Sequence, residues 1–151
     1  SSAASDVYKR QGLESTIINL TLKPIILRLG GLDITEIKKV LKKKIALNIN
    51  SKKRISPGQS RLHYSPGIPL KTNVKKPKKN EAFLLIKKRK ISLDNYYYLS
   101  KKSNLNEAAK NLYSLLRKIK NKGFKSISVE KIPDKGVGKT INDRLKRASK
   151  Y

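Results

Sequence analysis

Hydrophobic positions along this chain fall into short runs of two different periods. Ser15 to Leu20 is rich in β-branched residues and predicts a strand, which Lys23-Pro24 breaks. Ile25 to Leu29 predicts a second strand, ended by Gly30-Gly31. Asp33 to Lys44 reads as a helix: Asp33 and Glu36 have capping-box spacing, and Ile37, Val40 and Leu41 line one face. From Asn48 to Asn80 neither period survives. Pro57, Pro66, Pro69 and Pro77 punctuate that stretch together with Gly58 and Gly67, and lysines cluster at 75, 76, 78 and 79. A span of that length without regular structure is usually either disordered or functional.

Regularity returns after Glu81. Ala82 to Ile86 is a continuous apolar run, the pattern of a strand buried on both faces. Tyr96 to Leu99 and Ser126 to Glu130 predict two more strands. Asn104 to Lys122 is the clearest helix. Asn104 and Glu107 have capping-box spacing, Leu105, Ala108, Ala109, Leu112, Leu115, Leu116 and Ile119 step by three and four, and Gly123 supplies the stop. A last helix follows the turn at Gly136 and Gly138, with Ile141, Leu145 and Ala148 on one face. The order strand–strand–helix–strand–helix implies a small α/β layer with a mostly parallel sheet.

A length of 151 residues suits one ordinary domain, or a small domain beside part of another. The two strands and one helix before residue 48 are too few for a domain and read as the tail of a larger one. Residues 1–11 lack the Ile and Asn bias of the remainder and are set aside as a non-native segment, with native sequence expected from Gly12. The formal net charge is +27, from 37 basic and 10 acidic residues. That charge attracts polyanions and gives weak, salt-sensitive nucleic-acid binding. Lysine far outnumbers arginine, however, and is scattered, as on a solvated surface of a protein from an AT-rich genome. Zero cysteines exclude disulfides and thiolate metal sites. No apolar run is long enough to span a bilayer and no signal-peptide pattern is present, so the expected location is the cytoplasm and no membrane is expected as a partner.

Three groups of residues occur in a telling order: Glu14-Ser15-Thr16 with Leu27-Arg28-Leu29-Gly30; Ser56-Pro57-Gly58 with His63-Tyr64-Ser65-Pro66; and Gly136-Val137-Gly138 with Ile141-Asn142-Asp143-Arg144-Leu145. As an ordered set they resemble the two-domain threonylcarbamoyl-adenylate synthases: the end of a YrdC-type catalytic domain, the interdomain loop, and the closing helix of the C-terminal domain. The resemblance implies an α/β chain divided into a truncated YrdC-type remnant over 12–47, a long linker and active-site lid over 48–80, and a small Rossmann-like C-terminal domain over 81–151. It implies the activation of L-threonine with bicarbonate and ATP, Mg2+ accompanying the ATP, to give threonylcarbamoyl-adenylate and pyrophosphate. Transferase proteins would then carry the group to a tRNA adenosine. The resemblance places the basic ATP-binding cluster and most threonine contacts in a part of the family that would precede these residues, so these residues alone are expected not to catalyse the reaction.

Within that resemblance, Ser15 and Thr16 would line the substrate pocket, their hydroxyls able both to donate to a carboxylate and to accept from an ammonium. Arg28 would face the nucleotide, where a planar and permanently charged fork suits phosphate. Leu29 stands where the family usually has proline. His63 and Tyr64 would belong to a lid that excludes water from a hydrolysable mixed anhydride.

Two other readings compete. A basic RNA- or ribosome-binding protein without enzymatic activity would account for the charge and for Tyr96 to Tyr98. A phosphate-binding loop at Gly136-Val137-Gly138-Lys139-Thr140 would account for its ending in Gly-Lys-Thr, but Pro133 stands where that motif needs its first glycine. Asp143 and Arg144 are expected to anchor the last helix by salt bridges.

Overall fold

Residues 13–21, 23–42, 44–48 and 65–149 are described by the computed structural model. Residues 1–11, Ser56-Pro57-Gly58, His63 and Tyr64 lie outside them.

The first unit is a small sheet with one helix. Strand β1 (Ile17–Asn19) pairs antiparallel with β2 (Ile25–Arg28), and β2 pairs parallel with β3 (Ala46–Leu47). Helix α1 (Ile34–Leu41) makes the crossover that a parallel pair requires. Asp33 caps it, its Oδ1 accepting the Thr35 N–H at 2.9 Å. The helix is shorter than its sequence pattern predicts. Lys42 adopts a left-handed conformation (φ 50°) and ends it three residues after Lys39, at a place where the sequence has no glycine to announce a stop. Ile34 and Ile37 are buried, but Val40, expected on the same face, is 80% exposed. Val40 lies beyond the edge of the narrow stripe this small sheet can cover. The unit's own core is Ile26, Leu29 and Ile34, with Ile18 and Ile45 packed against it.

The second unit carries the main core. Strands β4 (Leu70–Lys71), β5 (Ala82–Leu85), β6 (Tyr96–Tyr98) and β7 (Ile127–Val129) form a sheet in the order β4-β7-β5-β6, and every pairing is parallel. Strand β4 falls inside the stretch where the sequence shows no strand period. Two residues are too few to display one, and their pairing with Ile127 and Ser128 is what defines them.

Helix α2 (Leu105–Asn121) connects β6 to β7, and helix α3 (Val137–Ala148) follows β7. Both pack on the face that presents Ala82, Leu84, Ile127 and Val129. The capping box of α2 is completed through a third residue. Asn104 Oδ1 accepts from Asn106 and Glu107 N–H, while Glu107 accepts the Ser100 hydroxyl, whose oxygen in turn accepts the Asn104 N–H. On the opposite face the Phe83 ring meets Tyr96 edge-on, with centroids 5.5 Å apart. Among the described residues no helix is long and apolar enough to cross a membrane.

One buried residue, Glu81, ties the amino ends of all four parallel strands together through its carboxylate and its carbonyl. Glu81, 7% exposed, accepts the Ser128 hydroxyl at 2.6 Å, the Lys78 N–H at 2.9 Å and the Ser126 hydroxyl at 3.2 Å, and faces Lys71 at 3.9 Å. Its own carbonyl accepts from Asn95 just before β6. The Ser128 hydroxyl, followed by the other donors, holds the carboxyl below its ordinary pKa. The carboxylate's stabilisation is therefore complete above the ordinary glutamate range and is lost as pH falls through the lower, folded value. Glu81→Gln is expected to destabilise the chain by about 1–3 kcal/mol near neutral pH and to flatten the acid limb of a stability profile measured by urea denaturation between acidic and neutral pH. An unchanged acid limb in the variant would contradict this assignment.

Candidate functional site

Two of the three segment groups singled out from sequence, the one around Glu14 and Arg28 and the one from Gly136 to Leu145, meet where the two units join. Gly30 sits so close under the preceding turn that a Cβ there would overlap the backbone of Glu14, Ser15 and Thr16, which explains a glycine at this point. The Gly31 N–H donates to the Glu14 carbonyl at 3.0 Å. The Thr16 hydroxyl accepts the Gly30 N–H at 3.1 Å and donates to the Leu32 carbonyl at 3.3 Å. Residues 14–16 and 30–32 thus form one cross-linked layer.

Arg28 lies along this layer. Its Nε donates to the Ser15 carbonyl at 3.0 Å and its Nη1 is 3.5 Å from Glu14 Oε2; only 12% of the side chain is exposed. Ser15 itself is exposed. The structure therefore brings Ser15, Thr16 and Arg28 together, with Ser15 toward solvent, Arg28 largely covered, and the Thr16 hydroxyl engaged within the chain.

Helix α3 grips the same layer from the second unit. Arg144, with 1% of its side chain exposed, donates from Nη2 to the Leu29 carbonyl at 2.7 Å and to Glu14 Oε2 at 3.2 Å. Its Nη1 meets Asp143 at 2.9 Å, and Asp143 also accepts from Arg147 at 3.0 Å. One turn earlier, the Thr140 hydroxyl donates to the Gly30 carbonyl at 2.9 Å. Two consecutive carbonyls just after Arg28 are thus held by two side chains of α3, and Glu14 Oε2 lies between two guanidinium groups.

The expected anchoring role of Asp143 and Arg144 is seen, but it reaches beyond α3 itself. Glu14 and Thr140 are the contributors that sequence reasoning missed. Arg144 could have drawn notice because it lies inside the stripe formed by Ile141, Leu145 and Ala148, where a solvated arginine has no place.

The glycine turn before α3 packs in the same region. Asp33 approaches it so closely that a Cβ on Gly136, which has φ 52°, would lie 2.8 Å from Asp33 Oδ2. The Thr35 hydrogen bonds lower the Asp33 pKa, with Lys139 and Lys39 adding to the effect. Gly138 already belongs to α3, and a Cβ there would overlap the Pro133 carbonyl. This arrangement overturns the phosphate-loop reading. The turn faces a carboxylate, and the threonine hydroxyl needed for a magnesium ion is spent on Gly30.

The family model of the threonylcarbamoyl-AMP synthase C-terminal domain matches residues 32–150. This chain belongs to that family. The threonylcarbamoyl-AMP synthase of Pyrococcus abyssi (strain GE5 / Orsay) is 30% identical over 165 residues, a match covering 94% of the chain and 47% of that protein. The threonylcarbamoyl-AMP synthase of Bacillus subtilis (strain 168) is 27% identical over 157 residues, covering 91% of the chain and 45% of that protein. The chain thus spans about half the length of the curated relatives it matches.

Among solved structures, P. abyssi Sua5 complexed with L-threonine superposes with a TM-score of 0.76 at 27% identity, covering 94% of the chain and 47% of that structure. A variant of P. abyssi Sua5, in which an adjacent histidine and tyrosine are both replaced by alanine, superposes with a TM-score of 0.71 at 26% identity, covering 94% of the chain and 46% of that structure. The likeness to whole synthases takes in more of the chain than the C-terminal domain model, which begins after Arg28.

Removing a partner from a buried charge network is costly because the remaining charge is left uncompensated. Arg144→Met is expected to lower stability by about 3–5 kcal/mol, and Arg144→Lys to recover less than half of the loss, because an ammonium cannot reach Leu29, Glu14 and Asp143 in one plane. Guanidinium denaturation of the three proteins checks this. Wild-type stability in Arg144→Met would contradict it.

Proposed function

We propose that this chain is the C-terminal half of a threonylcarbamoyl-AMP synthase and contributes to its substrate site as well as to its second domain. The observation that carries this reading is the superposition on the L-threonine complex over 94% of the chain, which takes in residues ahead of the C-terminal domain model. In the reaction, the amine of L-threonine condenses with bicarbonate to a carbamate and releases water. A carbamate oxygen attacks the α-phosphorus of ATP, the bond to the β,γ-diphosphate breaks, and pyrophosphate departs.

Arg28 is assigned to the negative charge of the nucleotide or the carbamate, since its fixed fork needs little reorganisation as charge shifts at phosphorus. Glu14 orients that fork, and Arg144 orients Glu14. The exposed Ser15 hydroxyl is assigned to the threonine carboxylate or ammonium. Thr16 acts on the same pocket by holding Gly30 and Leu32 in place.

His63 and Tyr64 are assigned to the lid, a role supported by the adjacent His–Tyr pair that was replaced in the Sua5 variant. Their closure would shield the mixed anhydride from water. Mg2+ is assigned to the ATP phosphates, as the usual counter-ion of a nucleoside triphosphate. The product would pass in the cytoplasm to transferase proteins that modify tRNA.

The test is pyrophosphate release from the whole synthase containing this chain, with L-threonine, bicarbonate and ATP. Turnover should require all three substrates, and Arg28→Ala should lower kcat/KM by about 100-fold with folding intact. The 151 residues alone should release none. Pyrophosphate release by the isolated chain, or indifference of the whole enzyme to Arg28→Ala, would overturn the reading.

A further inference from the structure

A parallel sheet delivers the carboxyl ends of all its strands to one edge, so whatever residues follow the strands are gathered there. In this chain they are cations. Lys87, Lys88 and Lys90 follow β5, Lys101 and Lys102 follow β6, and Lys131 follows β7; all six are exposed. Neighbouring strands lie about 4.8 Å apart, so three adjacent strand ends place these lysines along one short rim. Lys87 and Lys102 are brought opposite each other by a backbone bridge, which sets two like charges side by side. None of the six lysines has an ion-pair partner among the described residues.

The edge is also open. The β5–β6 connection contains no helix, in contrast to the β6–β7 connection with α2. Open α/β sheets bind ligands beyond the carboxyl ends of their strands, in the crevice where the winding reverses. Here the reversal lies between β5 and β7, and that crevice is already filled. Glu130 accepts the Ile86 N–H with one oxygen and Arg89 Nη2 at 2.7 Å with the other. A small anion entering the crevice would face this carboxylate. The lysine rim around it is instead a surface suited to several phosphates at once.

We propose that the carboxyl edge of the four-stranded sheet is a binding surface for the phosphate backbone of a nucleic acid, contacted by Lys87, Lys88, Lys90, Lys101, Lys102 and Lys131. The inference does not depend on the enzymatic reading. The nearby Ile91 and Leu93 are 77% and 52% exposed, but two isolated side chains do not make the continuous apolar face that membrane insertion requires. Lysine contacts to phosphates carry no sequence information, so binding is expected to be independent of sequence and strongly dependent on salt.

Fluorescence anisotropy with a short labelled duplex, in RNA and DNA forms, tests the surface over a salt series. The edge variant carries Lys87→Gln, Lys88→Gln and Lys102→Gln. A control with the same charge change carries Lys110→Gln and Lys118→Gln on the exposed side of α2 and Lys122→Gln at its C-cap. Circular dichroism melting shows that both are folded. The edge variant should bind at least about tenfold more weakly, with the salt slope on B-form DNA reduced by about 0.9 for each phosphate no longer neutralised, while the control stays near wild type. Equal weakening in both variants would show diffuse charge and overturn the proposal. So would wild-type binding to phosphatidylserine-containing vesicles without binding to either duplex.

Discussion

A guanidinium removed from water has to be surrounded by partners, because the cost of burying its charge exceeds what any single contact returns. Arg144 meets that demand with groups from both parts of the chain: Asp143 on its own helix, and Glu14 and the Leu29 carbonyl from the first unit. Of the buried apolar side chains of the first unit, only Ile26, Leu29 and Ile34 pack into one cluster, a small core for a three-stranded sheet. Its order therefore depends on α3, through Arg144, through Thr140 on the Gly30 carbonyl, and through Leu13, which packs against the main core. The turn that carries Ser15 and the strand end that carries Arg28 are consequently shaped by the C-terminal domain. On the proposed reading, that domain would form part of the frame of the substrate site.

The second unit supplies a firm base for this grip. Continuous apolar strands, buried on both faces, are covered on one side by α2 and α3. At their amino ends Glu81 gathers four strands with hydrogen bonds and one ion pair; at their carboxyl ends lysines repel one another around a carboxylate already in use. The two edges of one sheet thus have opposite electrostatic character, one satisfied within the chain and the other open to an external anion.

Much of this architecture was legible in the sequence. The apolar run Ala82 to Ile86 and the three-and-four spacing from Leu105 to Ile119 are strong local signals, and the resulting elements differ from expectation only at their ends. The parallel character of the sheet followed from the order of strands and helices. What could not be read depended on distant partners. Strand β4 exists because Leu70 lies beside Ile127, and α1 stops because Lys42 takes a left-handed conformation without glycine. The burial of Arg144 depends on residues 115 and 130 positions away, beyond the reach of any local pattern. Ser15, Thr16 and Arg28 were singled out through the family resemblance, whereas the carboxylate between Arg28 and Arg144 was visible only in three dimensions.

If α3 is what orders the first unit, loosening its grip should free that unit selectively. Site-resolved hydrogen exchange compares the Gly31, Ala46 and Asn48 amides of the first unit with the Ile127 and Glu130 amides of the second, in wild type and in Arg144→Met. Protection should fall steeply at the first three amides and much less at the last two. Equal losses at all five, or none at Gly31, would contradict it.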